Sequence, residues 1–339
     1  MKLFRKILYP FSFLHGLITT IRNYLYNNAV LKSTKFKTPT IVVGNLSVGG
    51  TGKTPQIEYL IRLLQNNYKV AVLSRGYKRK SKGFIIADEN SSSEVIGDEP
   101  FQYYKKFPDI IVCVDGNRTN GIQKLEELET PPDVILLDDA FQHRKVDAGL
   151  NILLTSYNDL YVDDVMLPTG NLRENKSGAA RAQIIIVTKC PSTISAKEQV
   201  EVTKKLSLTS KQSLFFTNIE YDNQLKGNSS RNLTDFENKE LVLVTGIANP
   251  KPLVNYLKSL HINLKHLNFP DHHNFNKNDI EKIKLAVKNI NSNNKIVLTT
   301  EKDYVRIFAE LQNLQYITIK TKFVAKSTNF DKLIKKYVE

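Results

Sequence analysis

The residues with the clearest chemical meaning form a glycine-rich run between a predicted strand and a predicted helix. The run reads Gly44-Asn45-Leu46-Ser47-Val48-Gly49-Gly50-Thr51-Gly52-Lys53-Thr54. Glycines let backbone N–H groups approach phosphate oxygens, a lysine reaches the β and γ oxygens, and a hydroxyl can ligate Mg²⁺. Ser47 stands where the usual pattern has its first glycine, and Gly49-Gly50 supply flexibility. The run predicts a phosphate loop that binds nucleotide through Ser47, Val48, Gly49, Gly50, Thr51, Gly52, Lys53 and Thr54.

An acidic pair follows an apolar strand further along the chain. Residues 134–137 are apolar, and Asp138 and Asp139 come directly after them. This is the form of a Walker B strand, which places a carboxylate beside Mg²⁺. Asp138 is the better candidate for the metal, with Thr54 as its partner from the phosphate loop. The two motifs together predict a nucleoside triphosphate bound with Mg²⁺.

The end of a later predicted strand bears on the choice of nucleotide. A GTPase is expected to carry Asn-Lys-x-Asp or Thr-Lys-x-Asp there, because the aspartate reads guanine. This chain has Thr188-Lys189-Cys190-Pro191, without the aspartate. The substitution favours ATP.

The elements that position these motifs follow a doubly wound α/β pattern. Short runs rich in Val, Ile and Leu alternate with helical periodicity, which is typical of parallel strands buried by helices on both faces. We therefore predict a P-loop NTPase-like, mostly parallel α/β/α sheet. The strand-like runs are 40–44, 70–74, 110–114, 134–137, 152–155 and 184–187.

The rest of the chain suggests a second, smaller α/β/α lobe. Composition turns polar across 221–239, and a second α/β pattern follows. The domain prediction has five parts: an N-terminal interfacial helix over 1–30, the P-loop domain over 31–220, a connector over 221–239, the smaller lobe over 240–325 and a basic C-terminal helix over 326–339.

The N-terminus carries one apolar helical stripe. Apolar residues recur in steps of three and four at Leu3, Ile7, Phe11, Leu14, Ile18, Ile21 and Leu25. The uncharged run is shorter than the roughly 20 residues that span a bilayer. We therefore predict an amphipathic helix at a membrane surface rather than a transmembrane helix. A helix buried on its own domain is the alternative.

Net charge limits the kinds of binding partner, and the cysteine content limits the kinds of disulfide and metal site. The 339 residues carry a formal net charge of +14, which attracts nucleic acid, an anionic membrane or a phosphorylated substrate. Nucleic acid is the weaker choice, because the basic residues are not interleaved with aromatic ones. Cys113 and Cys190 lie apart in apolar surroundings, so neither a disulfide scaffold nor a zinc site is expected.

Several further segments resemble the tetraacyldisaccharide 4'-kinases, which phosphorylate the lipid A precursor. The resemblance covers most of the chain, and the order of the motifs makes it specific. Besides the phosphate loop, it rests on Ser74-Arg75-Gly76-Tyr77, Gly97-Asp98-Glu99-Pro100, the run from Leu137-Asp138-Asp139 to His143-Arg144, Leu167-Pro168-Thr169-Gly170-Asn171-Leu172-Arg173-Glu174, Gly246-Ile247-Ala248-Asn249-Pro250, Asp271-His272-His273 and Thr300-Glu301-Lys302-Asp303.

The resemblance implies an ATP-dependent kinase that acts on the 4'-hydroxyl of an acylated disaccharide phosphate. It implies a monomer at the cytoplasmic face of the inner membrane, with two α/β/α lobes around a cleft. Asp98 is the expected general base, oriented by His272 of the other lobe. Lys53 and Asp139 complete the expected catalytic set.

Four residues are candidates for contact with the substrates or for support of the residues that make it. Arginines match phosphate geometry through two hydrogen bonds, and Tyr77 can meet nucleotide or sugar. These candidates are Tyr77, Arg118, Asn171 and Arg173.

Two other readings stay open from the residues alone. One is a P-loop protein of another class, such as a metallochaperone-type GTPase or a ligase that forms an acyl phosphate. The other is a nucleotide-dependent membrane scaffold without lipid kinase activity. ATP turnover that depends on a glycolipid acceptor distinguishes the kinase from both.

Overall fold

The computed structural model describes residues 5, 7–228, 231–271, 273–290, 295–307, 311, 313–325 and 327–339. The chain divides into two compact units. The first comprises Met1–Ile219 and Thr321–Glu339, and the second comprises Glu220–Lys320. The chain therefore leaves the first unit and returns to it for its final residues.

Most of the central strands are short and rich in Val, Ile and Leu. They are β1 (Thr40–Asn45), β2 (Val70–Ser74), β3 (Ile85–Ile86), β4 (Ile111–Val114), β5 (Val134–Asp138), β6 (Leu150–Ser156), β7 (Ile184–Thr188), β8 (Ser213–Tyr221), β9 (Gln224–Gly227), β10 (Arg231–Asn232), β11 (Glu240–Thr245), β12 (Asn263–Asn268), β13 (Val297–Thr300), β14 (Leu314–Ile317) and β15 (Ile319–Phe323).

The helices lie between the strands along the chain and at its two ends. They are α1 (Tyr9–Asn27), α2 (Lys53–Leu64), α3 (Ser93–Ile96), α4 (Asp98–Lys106), α5 (Arg118–Glu126), α6 (Ala196–Leu206), α7 (Lys251–Ser259), α8 (Lys277–Lys288), α9 (Glu301–Ile307) and α10 (Thr328–Val338), with 3-10 turns at Tyr161–Asp163, Lys176–Arg181 and Leu233–Phe236.

The first unit is built on a nine-stranded sheet in the order β15-β8-β7-β6-β1-β5-β2-β4-β3. All neighbours from β8 to β4 are parallel, and β3 is antiparallel to β4. Separate hydrophobic clusters lie on its two faces, because alternate strand residues point to opposite sides. The predicted doubly wound α/β class is confirmed.

The second unit has its own six-stranded sheet in the order β10-β9-β14-β13-β11-β12. Strands β12, β11, β13 and β14 are parallel, and β9 and β10 form an antiparallel edge. Residues 221–239, predicted as a connector, contain β9, β10 and the 3-10 turn Leu233–Phe236. Apolar clusters again occupy both faces of the sheet.

Helix α10 packs on the first unit rather than standing apart as a basic tail. Phe330 and Ile334 are fully buried in one core cluster of the large sheet. The Tyr337 hydroxyl donates to Thr40 O at 3.0 Å and accepts from Thr40 N at 3.2 Å. The helix therefore closes over β1, the strand that leads into the phosphate loop.

The chain passes between the two units along β8 and β15. Beyond β8, Asp222 N donates to Thr318 O at 3.0 Å, and Thr318 Oγ1 donates to Asp222 Oδ2 at 3.0 Å. The two strands that carry the chain out and back are neighbours in the large sheet. The second unit thus has its entry and exit side by side.

Helix α1 exposes an apolar face. Phe11 and Phe13 are 63% and 71% exposed, and Ile7, Leu14, Ile18 and Ile21 are also exposed. The predicted stripe thus faces outward from Ile7 to Ile21, while Leu3 lies outside the described residues. Among the described helices, none combines the length and apolar character needed to cross a bilayer.

Candidate active site

The phosphate loop joins β1 to α2 at the carboxyl edge of the sheet. Residues 46–52 lie between Asn45, which ends the strand, and Lys53, which begins the helix. Gly49 and Gly52 have φ angles of 118° and 87°, which other residues rarely adopt. The sequence folds this way because glycines stand where the backbone turns through left-handed conformations. An α2 helix that begins at the loop directs its free N–H groups toward an anion.

The lysine of the loop is already directed at the acidic pair. Lys53 Nζ donates to Asn45 Oδ1 at 3.3 Å and lies 3.5 Å from Asp139 Oδ1. Its side chain is 16% exposed, so the ammonium group sits in a partly desolvated site. Asn45 is fully buried at the end of β1. An ammonium group in this place is ready to contact phosphate oxygens.

The end of β7 contacts the loop from the other side. Thr188 Oγ1 donates to Thr51 O at 2.7 Å, and the Lys189 ammonium group donates to Gly50 O. Burial lowers the pKa of Lys189, and the nearby Lys53 lowers it further. The Thr-Lys pair that bears on nucleotide choice in the sequence is therefore in direct contact with the phosphate loop.

Asp138 ends β5 in a buried position. Burial, with the negative charge of Asp139, raises its pKa to about 7. The Tyr103 hydroxyl donates to Asp138 Oδ2 at 3.4 Å and also contacts Thr54. Thr54 and Asp138, the two residues predicted to hold Mg²⁺, are thus within reach of one hydroxyl group. A threonine hydroxyl and a carboxylate are oxygen ligands of the kind that Mg²⁺ takes alongside nucleotide phosphates, so the site fits the ion.

Asp139 lies between two cations. Arg173 NH1 donates to both of its carboxylate oxygens, at 2.9 and 3.0 Å, and Lys53 approaches from the loop. Burial by itself raises the pKa of Asp139, but Lys53 and Arg173 outweigh burial and hold it below its ordinary value. The backbone of Asp139 has a φ angle of 49°, in the left-handed region that residues other than glycine seldom adopt.

Residues 166–174, here called the bridging segment, lie against the phosphate loop. Val48 N donates to Asn171 O at 2.8 Å, and Arg173 N donates to Leu46 O at 2.7 Å. A bridge between Ser47 and Leu172 completes this pairing. The segment therefore carries Arg173 to Asp139 and Asn171 to the outer side of the loop.

Arg118 holds the strand ends together. It is 1% exposed, its NH2 donates to Asp138 O at 3.2 Å, and its NH1 donates to Asp115 O. Burial lowers its pKa to about 10, so the guanidinium stays charged at neutral pH. This position beneath Asp138 suits the supporting role that the sequence left open for Arg118.

Asp98 is the first residue of α4. The preceding Gly97 has a φ angle of 94°, and a Cβ there would lie 3.1 Å from Gly76 Cα. Glycine is needed at this position because two turns pack directly on each other. Asp98 is half-buried, and the same helix carries Tyr103 to Asp138. His272, the predicted partner of Asp98, lies outside the described residues.

Tyr77 lies in a basic cleft after β2. The cleft has a volume of about 480 Å³, and Tyr77 itself is 60% exposed. Asp115 is its only carboxylate among the described lining residues, and that carboxylate accepts from Asn117 N and Asn120 Nδ2 at 2.8 and 2.6 Å. The cations of the cleft are Arg75, Lys78, Arg79 and Lys82.

Comparison with known proteins decides the family. A sequence model described as tetraacyldisaccharide-1-P 4'-kinase, LpxK, matches residues 4–339. A tetraacyldisaccharide 4'-kinase of Flavobacterium johnsoniae is 55% identical over 342 residues, covering 100% of this chain and 98% of that protein. One of Bacteroides thetaiotaomicron is 46% identical over 314 residues, covering 89% of this chain and 83% of that protein.

The chain belongs to this kinase family.

A solved member of the 4'-kinase family has the same fold. The crystal structure of LpxK from Aquifex aeolicus in complex with ATP matches with a TM-score of 0.79 and 32% sequence identity. The match covers 99% of this chain and 100% of that one. Membership in the 4'-kinase family thus agrees with the resemblance drawn from the motifs.

Sequence reasoning gave no role to several residues of the site. Tyr103 lies in a helix whose polarity gave no signal, and only the fold brings it to Asp138. The segment that contains Lys189 was used only to show that a guanine-reading aspartate is absent. No role was predicted for the Lys189 ammonium group. Glu174 ends a quoted motif, and its complete burial could not be read from a sequence in which glutamate is normally exposed. Asn45 is part of the glycine-rich run. Its position at the end of a predicted strand, directly before the loop, was the one feature of the sequence that could have indicated its role.

Proposed function

We propose that this protein transfers the γ-phosphate of ATP to the 4'-hydroxyl of the tetraacyldisaccharide 1-phosphate precursor of lipid A. The product is the 1,4'-bisphosphate, an intermediate of lipopolysaccharide synthesis. One observation supports this proposal most directly: Lys53 and Asp139 lie 3.5 Å apart at the phosphate loop. The chain that contains them matches the 4'-kinase family over residues 4–339.

Phosphoryl transfer depends mainly on positioning and charge neutralisation. The backbone of residues 47–52 and the Lys53 ammonium group bind the β and γ phosphates. Thr54 and Asp138 would hold Mg²⁺, which would act as a Lewis acid and neutralise charge on the phosphates. Burial raises the pKa of Asp138 to about 7, and a cation bound beside it would lower that pKa and favour the carboxylate.

Arg173 is the second cation of the transfer site. Its guanidinium contacts both oxygens of Asp139 and so lies on the same side of the loop as Lys53. Asp139 fixes the orientation of both cations before the phosphates enter. Pre-oriented charges stabilise a developing phosphoryl charge more than mobile ones do.

Asp98 accepts the proton of the acceptor hydroxyl, and His272 contributes to catalysis, as the resemblance to the 4'-kinase family implies. A carboxylate at the beginning of a helix is stabilised in its charged form by the helix dipole, which suits a base that must be ionised before reaction.

The acceptor binds near Tyr77 and Asn171. The basic cleft beside Tyr77 offers four cations against one carboxylate that is already hydrogen-bonded. Such a cleft suits the phosphate that the acceptor already carries. Arg118 supports the Asp138 backbone from below, and Arg173 serves both the acceptor and the γ-phosphate.

The protein acts as a monomer at the cytoplasmic surface of the inner membrane. The exposed apolar face of α1 and the net charge of +14 support binding to an anionic lipid surface. A lipid acceptor that stays in the bilayer requires an enzyme that reaches the interface. Peripheral binding through α1 meets this requirement.

Transfer of labelled γ-phosphate from ATP to the acceptor in mixed micelles tests the function. We expect labelled bisphosphate with the intact chain and a loss of at least about a hundredfold with Lys53→Ala or Asp98→Ala. Lys204→Ala and Asp109→Ala, both on the exposed surface, are the matched controls. ATP hydrolysis without labelled lipid would contradict the proposal and favour another class of P-loop protein.

A further inference from the structure

The bridging segment is held on its outer side by helix α1. Ser12 Oγ donates to Thr169 Oγ1 at 2.7 Å and accepts from Thr169 N at 3.0 Å. Just before the helix, Arg5 NH1 donates to Asn171 Oδ1 at 3.4 Å. The helix therefore has a polar inner face that matches this segment, besides the apolar face that it exposes.

The inner side of the same segment is paired with the phosphate loop. Arg173 N donates to Leu46 O, and Asn171 O accepts from Val48 N. The segment is thus one layer of backbone between α1 and the nucleotide site. A displacement of α1 can therefore change the position of the loop by displacing this segment.

Glu174 is the centre of the contact. It is fully buried, and its Oε1 accepts from Gln142 Nε2 at 3.1 Å and from Arg181 NH2 at 2.8 Å. Its Oε2 accepts from Asn23 Nδ2 of α1 at 2.8 Å. A buried carboxylate needs such donors, because an unmatched oxygen carries the full cost of desolvation. Helix α1 supplies one of the three.

A continuous path leads from this carboxylate to the catalytic lysine. Gln142 Nε2, which donates to Glu174, also donates to Asn45 O at 2.8 Å. Asn45 Oδ1 in turn accepts from Lys53 Nζ at 3.3 Å. Each residue on the path is held by its neighbours, so the loss of one donor changes the position of the next.

We propose that Asn23 and Glu174 are positioning residues that make the geometry of the phosphate loop, and with it the affinity for ATP, depend on the docking of α1. The proposal rests on the proposed function in taking ATP as the nucleotide. It adds a second task to α1, because the helix that faces the membrane also completes the support of the nucleotide site.

The energies favour a measurable effect rather than collapse of the fold. Loss of one hydrogen bond to a buried charged group weakens its support, and part of that loss is recovered by rearrangement or water. Asn23 lies on a helix at the surface, so its truncation leaves both sheets intact. The expected result is weaker ATP binding in a folded protein.

The test measures ATP binding to the full-length chain in the absence of acceptor, with Mg²⁺ present. We expect Asn23→Ala to raise the Kd for ATP about five- to tenfold, and Asn23→Asp to raise it further because a second carboxylate would face Glu174. Asn27→Ala, on the same helix and exposed, is the matched control and should bind ATP as the unaltered chain does.

A reversed hydrogen bond provides the rescue. In the double variant Asn23→Asp with Glu174→Gln, the new amide can donate to the new carboxylate while its oxygen still accepts from Gln142 and Arg181. We expect this pair to restore ATP affinity to within about threefold of the unaltered chain. If Asn23 had only a structural role, Asn23→Ala and Asn23→Asp would lower thermal stability, and the double variant would not recover ATP binding.

The outcomes separate this inference from the proposed function. An unchanged Kd for ATP in Asn23→Ala and Asn23→Asp would overturn the inference, even if lipid phosphorylation were found. Weakened ATP binding with rescue would support it, even if no lipid were labelled. Binding to anionic vesicles is measured in parallel, and equal vesicle binding by Asn23→Ala and Asn27→Ala would show that the effect on ATP does not come from loss of membrane contact.

Discussion

Arg173 donates to both carboxylate oxygens of Asp139, at 2.9 and 3.0 Å. This pair joins the bridging segment to the residue that follows the Walker B strand. Because Lys53 lies 3.5 Å from the same carboxylate, one anion aligns two cations beside the glycine-rich loop. The arrangement links the geometry of the transfer site to the bridging segment.

The two-point contact of the Arg173 guanidinium with Asp139 should matter more for phosphoryl transfer than the positive charge of Arg173 alone. Replacing Arg173 with Lys keeps a cation but loses the two-point contact with Asp139. We expect kcat for lipid phosphorylation to fall at least about tenfold, while the KM for ATP changes about threefold or less, because Lys53 still binds the phosphates. Steady-state kinetics check this, with Arg231→Lys in the second unit as the matched control. Equal loss in both variants would contradict the role of the fork.

Asp138 should make stability depend on pH in a specific direction. Burial, with the charge of Asp139, raises its pKa from 3.8 to about 7, so the folded protein holds this proton when the unfolded chain has released it. The stabilisation is complete below about pH 4 and is lost as the pH rises to about 7. Asp138→Asn removes this loss. Without nucleotide or Mg²⁺, its Tm relative to the unaltered chain should therefore increase by a few degrees between pH 4 and pH 8.

Thermal unfolding across this pH range makes the measurement. Asp109→Asn, on the exposed surface, is the control and should show a constant difference in Tm from the unaltered chain. A Tm difference for Asp138→Asn that stays flat or decreases with pH would mean that the Asp138 pKa is not raised.

The exposed face of α1 should determine attachment to lipid. Replacing Phe11 and Phe13 with Ser removes two large side chains that are 63% and 71% exposed. Partitioning to anionic vesicles should fall by roughly tenfold or more, since each buried phenylalanine side chain contributes about 1.5 to 3 kcal/mol. Vesicle co-sedimentation checks this. Val200→Ser, an exposed apolar residue of α6, should leave partitioning unchanged.

The C-terminal helix should contribute strongly to the stability of the first unit. Phe330 is fully buried and packs edge-on against Phe215 and Tyr59. Phe330→Ala should lower the free energy of unfolding by about 3 to 5 kcal/mol through lost burial and a cavity. Leu333→Ala, on the same helix but 40% exposed, should lower it by about 1 kcal/mol or less. Urea denaturation of both variants decides, and similar losses would contradict the packing argument.

The sequence predicted those parts of the protein that depend on neighbouring residues. The phosphate loop and the strand before Asp138 are local patterns, in which glycines, a lysine and an apolar run each have a direct physical meaning. The six strand-like runs predicted in the first unit agree with the observed strands to within two residues at each end, since a run such as 184–187 indicates burial on both faces. The parallel strands β8, β12 and β14 were not predicted. The sheet class follows from the alternation of the predicted strands with helices.

Contacts between distant segments were beyond prediction from the residues alone. Nothing local indicates that Arg173 meets Asp139, because that contact depends on the path of the bridging segment through the fold. The buried state of Glu174 likewise depends on three donors from three different elements. The packing of α10 against β1 was also not predictable. The amphipathic pattern of a helix indicates that one face is buried, but not which element covers it.

The pairing of Asp222 with Thr318 has a consequence for how the gene can be rearranged. Because the entry and exit of the second unit are hydrogen-bonded neighbours, residues 220–320 form an insertion with adjacent ends. Such a module can be excised as one continuous piece and the gap closed by a short turn, or its own ends can be joined and new termini opened elsewhere. The kinase is in this sense a P-loop protein that carries a second protein within one of its loops.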